Sequence, residues 1–261
     1  MRRVISVAVL TLGASIAVAA SQAPSAWSRL PERITAAAPA PAFVAAHGSV
    51  PAARARPRER TYLILRPRDG HELVVHASPG GDIVARLGER TEFGSPQTVG
   101  VMRRRGRWFG VVTTHLPNGR LGWIDRDQVG GLSYFRTRLN LVLDLSARRL
   151  VFRSGTSVIR RMRVGIGAPA SPTPVGRFAI TDKLSGPAFS SYYGCCILAL
   201  SAHQPHLPAG WGGGDRIAIH GTYDVGSIGA ASTAGCIRAA AADLHVLMRR
   251  VPLGTPVFVH A

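Results

Sequence analysis

A histidine and a cysteine sixteen positions apart are the residues in this chain best placed to do chemistry together. They stand in Ile217-Ala218-Ile219-His220-Gly221-Thr222 and Ser232-Thr233-Ala234-Gly235-Cys236-Ile237-Arg238. The apolar run before His220 predicts a strand, and Gly235-Cys236 predicts a turn opening toward a helix. The imidazole and the thiol are therefore expected at neighbouring loop ends, the arrangement that nucleophilic cysteine catalysis requires. A free thiol titrates near ~8.5 and is mostly protonated at neutral pH, so a base or cation must raise its thiolate fraction. His220 can be that base. Gly235 lets the backbone approach a substrate with no Cβ in the way, and adjacent amides are candidates for stabilising a tetrahedral oxyanion. The bland alternative is an ordinary packed histidine and a buried thiol.

Other residues near this pair carry two readings each. Arg238 is a candidate partner for a substrate carboxylate, because a guanidinium binds one bidentately, or it is simply a helix-start arginine. Tyr193, just before Gly194-Cys195-Cys196, either lines a substrate groove or packs. Thr233 either supports the nucleophile turn through a hydrogen bond and lies at the substrate, or ends the preceding loop. With Cys236 as nucleophile, the remaining cysteines are adjacent, and a disulfide between adjacent residues is strained, so Cys195 and Cys196 are expected as buried free thiols. His203-Gln204-Pro205-His206 lacks carboxylate or cysteine partners for a metal, so no metal and no cofactor is expected.

The elements that must position these groups are mostly strands. Leu139 to Leu145 alternates, Leu150-Val151-Phe152 and Val158-Ile159 follow at hairpin spacing, and Met162 to Ile166 and Arg177 to Thr181 come next. Ala239 to Arg250 predicts a helix with Leu244, Leu247, Met248 and Val251 on one face, stopped by Pro252 and Gly254. Leu253 to Val259 supplies a last turn and strand. Upstream, residues 61–133 hold about five short apolar runs, with turn signals at Pro79-Gly80-Gly81 and Asn118-Gly119. That pattern predicts a small β-barrel with Trp108 and Trp123 in its core or groove wall. Residues 21–60 are rich in Ala, Pro and Arg and read as a linker. Met1-Arg2-Arg3 followed by the apolar stretch Val4 to Ala20 reads as a signal peptide over 1–20, with an uncleaved membrane anchor as the alternative. The fold class expected is mainly β, a small barrel followed by a β-rich domain over 138–261 with at least one helix.

Several motifs carry a family resemblance. Leu143-Asp144-Leu145-Ser146, Pro172-Thr173-Pro174-Val175-Gly176-Arg177-Phe178, Ile219-His220-Gly221-Thr222, Gly235-Cys236-Ile237-Arg238 and Gly254-Thr255-Pro256-Val257 occur in this order. Together they resemble the YkuD-type catalytic domain of L,D-transpeptidases, which remodel bacterial peptidoglycan. Gly106 to Val112 with Gly119 to Ile124 resembles the closing strands of bacterial SH3-like domains. The resemblance implies Cys236 as nucleophile, His220 as general base oriented by the Gly221 carbonyl, and peptidoglycan stem peptides as substrates. It also implies covalent inhibition by carbapenems and no metal. The family commonly has Ser or Thr, His, Gly, Cys at the nucleophile turn. This chain has Ala234 where the histidine stands, which bears on substrate positioning and rate. Transfer to water instead of an amine would make the protein an L,D-carboxypeptidase, and loss of activity would leave a non-enzymatic wall-binding protein.

Charge narrows the partners further. In 261 residues, Lys+Arg outnumber Asp+Glu by 32 to 14, a formal net charge of +18. Only one of the 32 is a lysine, Lys183, and the arginines are scattered rather than gathered on one helix. Nucleic-acid binding is therefore not expected, whereas attraction to an anionic cell envelope fits. With the leader, the expected location is outside the cytoplasm, in the periplasm, the cell wall or the extracellular space.

Overall fold

The computed structural model describes residues 60–128, 131–210, 212 and 214–261. The expected leader over 1–20 and nearly all of the linker over 21–60 lie outside these residues. The five apolar runs of the upstream region all become strands, and two more join them. In chain order they are β1 (Tyr62–Pro67), β2 (Leu73–His76), β3 (Ile83–Leu87), β4 (Val99–Arg105), β5 (Trp108–Val111), β6 (Gly122–Asp125) and β7 (Leu132–Thr137). Their order is β3-β2-β6-β5-β4-β1-β7, with every neighbouring pair antiparallel. β4 ends in Arg103-Arg104-Arg105, all exposed, so half of it has no apolar alternation to read. The inward residues Leu63, Leu65, Leu73, Val75, Val111 and Ile124 form one hydrophobic cluster. Trp123 is buried beside it, while Trp108 is half-buried and meets the His76 ring edge-on at 5.2 Å.

The second half is built around an eight-stranded sheet. Its strands are β8 (Leu139–Asp144), β9 (Arg149–Ser154), β10 (Ser157–Arg163), β12 (Gly176–Ser185), β13 (Cys196–His203), β14 (Arg216–His220), β16 (Ile237–Arg238) and β17 (Pro256–His260). β11 (Ile166–Gly167) and β15 (Ala231–Thr233) form a separate parallel pair. The order of the large sheet is β10-β9-β8-β17-β12-β13-β14-β16, antiparallel except where β17 meets β8 and β14 meets β16. The expected helix is present as α1 (Ala241–Arg250), with Leu244, Leu247 and the following Val251 fully buried. Asp243 in its first turn and Arg249 and Arg250 in its last complement the helix dipole. Phe152, Phe178 and Met162 fill a second cluster with these residues, distinct from the upstream one.

β13 lies at the heart of this half and is buried along nearly its whole length, a run without alternation because both of its faces are covered. Cys196 begins it, and here the structure corrects an expectation. Cys195 and Cys196 are joined to each other in a disulfide and are not free thiols; Cys236 is free. Adjacency in sequence does not prevent the two from bonding.

The two halves are joined by specific contacts. Asn118, in the connection between β5 and β6, brackets the backbone of His203: its Nδ2 donates to His203 O at 2.6 Å, and its Oδ1 accepts from His203 N at 2.9 Å. The Asn118-Gly119 signal therefore marks a real turn, and its asparagine side chain serves the neighbouring sheet. Thr91 donates its hydroxyl to the buried Asp182 carboxylate of β12 at 2.5 Å. Among the described residues, no helix is long and apolar enough to cross a membrane.

Candidate active site

Strand pairing brings the histidine and the cysteine together. β14 ends at His220, and β16 begins immediately after Cys236 and runs parallel beside it, with Ile219 opposite Ile237 and His220 opposite Arg238. The His220 carbonyl accepts from Ala239 N at 2.9 Å, and Arg238 exchanges backbone hydrogen bonds with Gly165 at 2.8 and 3.0 Å. Both reactive side chains line one cavity of about 310 Å³, together with Ala218, Ala234, Tyr192 and Tyr193.

The tautomer of His220 follows from its partner. Its Nδ1 lies 2.5 Å from the Gly221 carbonyl oxygen, which can only accept, so Nδ1 carries the proton. In the neutral ring Nε2 then holds a lone pair, and Nε2 is buried without a hydrogen-bond partner. Burial pushes the His220 pKa down to about 4; the Gly221 bond opposes this and the Arg238 charge reinforces it. At neutral pH the ring is therefore an uncharged base. Tyr193 meets it edge-on at 5.1 Å and Tyr192 lies at 5.7 Å, so aromatic rings keep water from one side. Gly221 has no room for a side chain, since a Cβ would sit 2.8 Å from Tyr193 O and 3.0 Å from Cys195 N.

Cys236 is pushed the other way. Burial raises its thiol pKa, while an Ala218 backbone contact and the Arg238 charge pull it down. Its Sγ lies 3.9 Å from the Arg216 carbonyl oxygen. Both shifts favour the uncharged forms, a neutral imidazole and a protonated thiol lining one cavity.

The turn that presents Cys236 is held from several directions. Thr233 Oγ1 donates to Cys236 O at 2.6 Å and accepts from Gly235 N at 3.1 Å. Thr173 donates to Gly235 O at 2.8 Å, and the buried Gln204 donates to Ala234 O at 3.0 Å as well as to Ser171 O and Pro172 O. Gly235 has φ +113°, and an added Cβ would run into the Gln204 amide, so both backbone conformation and space demand glycine.

These contacts sort the remaining expectations. Thr233 is buried and spent within the turn, not among the residues lining the cavity, so its position fits turn support and not substrate contact. The space left by the missing Cβ of Gly235 is taken by the Gln204 amide, and the Gly235 amide donates to Thr233 Oγ1. Tyr193 lines the cavity. Arg238 does not: its Nη2 donates to Tyr192 Oη at 2.7 Å, its Nη1 is 3.9 Å from Asp224, and it underlies the tyrosine ring. Ala234 lines the cavity. His203 is paired with Asp215 and the Thr114 carbonyl, with no metal-ligand cluster around it among the described residues.

Sequence reasoning missed Gln204, Tyr192 and Arg216. Gln204 lay inside a segment weighed only for its flanking histidines, and Arg216 opens the strand whose end drew attention.

Residues 140–259 match the family model of the YkuD L,D-transpeptidase catalytic domain. This segment is similar to the L,D-transpeptidase catalytic domains of the YkuD family. The YkuD proteins of Bacillus subtilis and Bacillus licheniformis are each 28% identical to it, over 123 and 121 residues. Both alignments cover 46% of this chain, and they span 65% and 64% of the respective relatives. Among solved structures, an L,D-transpeptidase from Mycobacterium smegmatis is similar at 19% identity and a TM-score of 0.41, covering 76% of this chain and 97% of that one. L,D-transpeptidase 3 from Mycobacterium tuberculosis, in complex with a faropenem-derived adduct, is 14% identical with a TM-score of 0.38, covering 54% and 73%. The matched residues take in His220, Gly221, Gly235 and Cys236.

Proposed function

We propose that the protein is an exported peptidoglycan L,D-transpeptidase that forms a thioester on Cys236 and passes the acyl group to an amine. The observation that carries this reading is the fixed tautomer of His220, which leaves Nε2 unprotonated and unpartnered on a residue lining the same cavity as the free thiol. In the first half-reaction, Cys236 Sγ attacks the carbonyl carbon between the third stem residue and the terminal D-alanine. The thiol proton moves to His220 Nε2, the C–N bond breaks, and that proton leaves on the D-alanine amine. In the second, the amine of a neighbouring stem peptide attacks the thioester. Its proton passes through His220 to the departing sulfur, restoring the thiol.

Neutral resting partners suit this sequence, because no stable imidazolium–thiolate pair must be dismantled before the leaving amine is protonated. Release from the cytoplasm through the leader at 1–20 and the linker at 21–60 would bring the catalytic domain to the wall. The positive charge favours retention at an anionic envelope. We read the upstream β unit as SH3-like and as part of the same working body.

The test is intact-mass analysis after exposure to a stem tetrapeptide or a carbapenem, whose lactam carbonyl is an acyl donor. A one-to-one adduct that disappears in Cys236→Ala is expected. An adduct of undiminished yield in that variant, or no adduct in the parent protein, removes the proposal. Muropeptide products from the parent protein then separate amine from water as acceptor.

A further inference from the structure

Arg216 opens β14 and borders two cavities, the catalytic groove and a polar neighbour of about 390 Å³. Its side chain is only 13% exposed. On the inner edge of the guanidinium, Nε and Nη2 donate to Leu200 O at 3.2 and 2.7 Å, and Nη2 also donates to Thr181 Oγ1 at 2.8 Å. Neutral acceptors of the catalytic domain thus fix the group in place without neutralising it.

The outer edge is different. Nη1 pairs with the carboxylate of Glu92, which belongs to the connection between β3 and β4 of the upstream sheet and is 48% exposed. The next residue, Phe93, lies with its ring 5.7 Å from the guanidinium carbon and meets Phe189 edge-on at 6.0 Å, so the same connection supplies a wall of the catalytic groove. Burial pulls the Arg216 pKa down to about 10, which leaves it fully charged at neutral pH yet poorly solvated. A desolvated, rigid cation whose anionic partner sits on an exposed connection has the form of a binding site with a placeholder in it. Stem peptides carry carboxylates, and Arg238, the residue first expected to receive one, is occupied by Tyr192 outside the cavity lining.

We propose that Arg216 is the carboxylate subsite of the groove, and that a carboxylate of the acyl-donor peptide binds it by displacing Glu92. This rests on the reading of the groove as an acyl-donor site. The upstream β unit then tunes donor affinity directly: Glu92 competes with the substrate, and Phe93 with Phe189 covers the bound chain. The inner hydrogen bonds of Arg216 persist through the exchange, so the guanidinium trades one carboxylate for another of the same geometry.

Equilibrium binding to the Cys236→Ala protein reads the subsite without turnover, using a stem tetrapeptide and its fully amidated counterpart as probes. The acid should bind about tenfold more tightly than the amide, the scale of one charge-assisted contact. Glu92→Gln should tighten the acid by roughly a further fivefold and leave the amide unchanged. Arg216→Gln should make the two peptides equal. Because Arg216 is buried, its variant is checked for folding by thermal melting, and the exposed Glu92→Gln variant carries the test if it fails. Equal affinity for acid and amide in both the Cys236→Ala protein and its Glu92→Gln form overturns the proposal, as does failure of the acid to bind. Binding with the expected acid preference, but without acylation of the Cys236-containing protein, sinks the proposed function and leaves the subsite standing.

Discussion

His220 shows how one side chain's burial sets both chemistry and stability. Its folded pKa of about 4 lies below the ordinary histidine value of 6.5, so the unfolded chain binds more protons between these limits. The resulting stability is fully present above pH 6.5 and is lost as pH falls toward 4. The difference is on the order of 3 kcal/mol. Denaturant midpoints measured from pH 7 to 4 should fall more steeply for the parent protein than for His220→Gln; parallel curves would refute the shift. The reaction has a different limit, because the Cys236 thiol is raised by burial. Alkylation of Cys236 by neutral iodoacetamide should therefore be slow at pH 7 and keep rising beyond the range of an ordinary thiol. A plateau reached near pH 5 would reveal a preformed thiolate and contradict the neutral resting pair.

At the scale of elements, the nucleophile turn is the most heavily fastened segment around the site, and Thr233 is its hub. Thr233→Val keeps the shape but forfeits the bonds to Gly235 N and Cys236 O, leaving buried backbone groups unmatched. A loss of about 1–3 kcal/mol is expected, together with slower acylation, and Thr233→Ser should restore both. Chemical denaturation and adduct formation measured on the same samples decide this; an unaltered Thr233→Val protein would show that Thr173 and Gln204 suffice. The disulfide gives an independent check. Non-reducing denaturation should expose one alkylatable thiol, Cys236, and reduction should expose all three.

Legibility also differs by element. Alternation revealed β8, and the face of Leu244 and Leu247 revealed α1, because one side of each is buried and the other is not. β13 has no such contrast, and the arginines closing β4 hide it among surface charges. Cys236 and His220 could be read as a candidate pair because few residue types supply a nucleophile and a base. The hydrogen bonds of Gln204 could not, since its partners Ser171, Pro172 and Ala234 are some thirty residues away and contribute only backbone carbonyls.

At the scale of the whole molecule, two hydrophobic clusters invite a picture of separable domains, with the catalytic motifs all in the second. The contacts between them argue against free separation. Asn118 matches both a donor and an acceptor on the His203 backbone, and Thr91 and Glu92 reach Asp182 and Arg216 from the same upstream connection. Asn118→Ala removes two hydrogen bonds at once without altering either cluster. At roughly 1 kcal/mol each, the loss should be about 2 kcal/mol, or a fall in Tm of roughly 5 °C for a body of this size. The shape of the transition is the sharper readout. If these contacts couple the clusters, the parent protein should melt in one step by tryptophan fluorescence and by far-ultraviolet circular dichroism alike. In Asn118→Ala the two probes should begin to diverge, since two of the four tryptophans, Trp108 and Trp123, report on the upstream sheet, whereas the backbone signal weights the larger downstream sheet. Coincident melting in both proteins with an unchanged midpoint would mean that Asn118 contributes nothing to the coupling. A parent protein that already melts in two steps would restore the picture of independent domains.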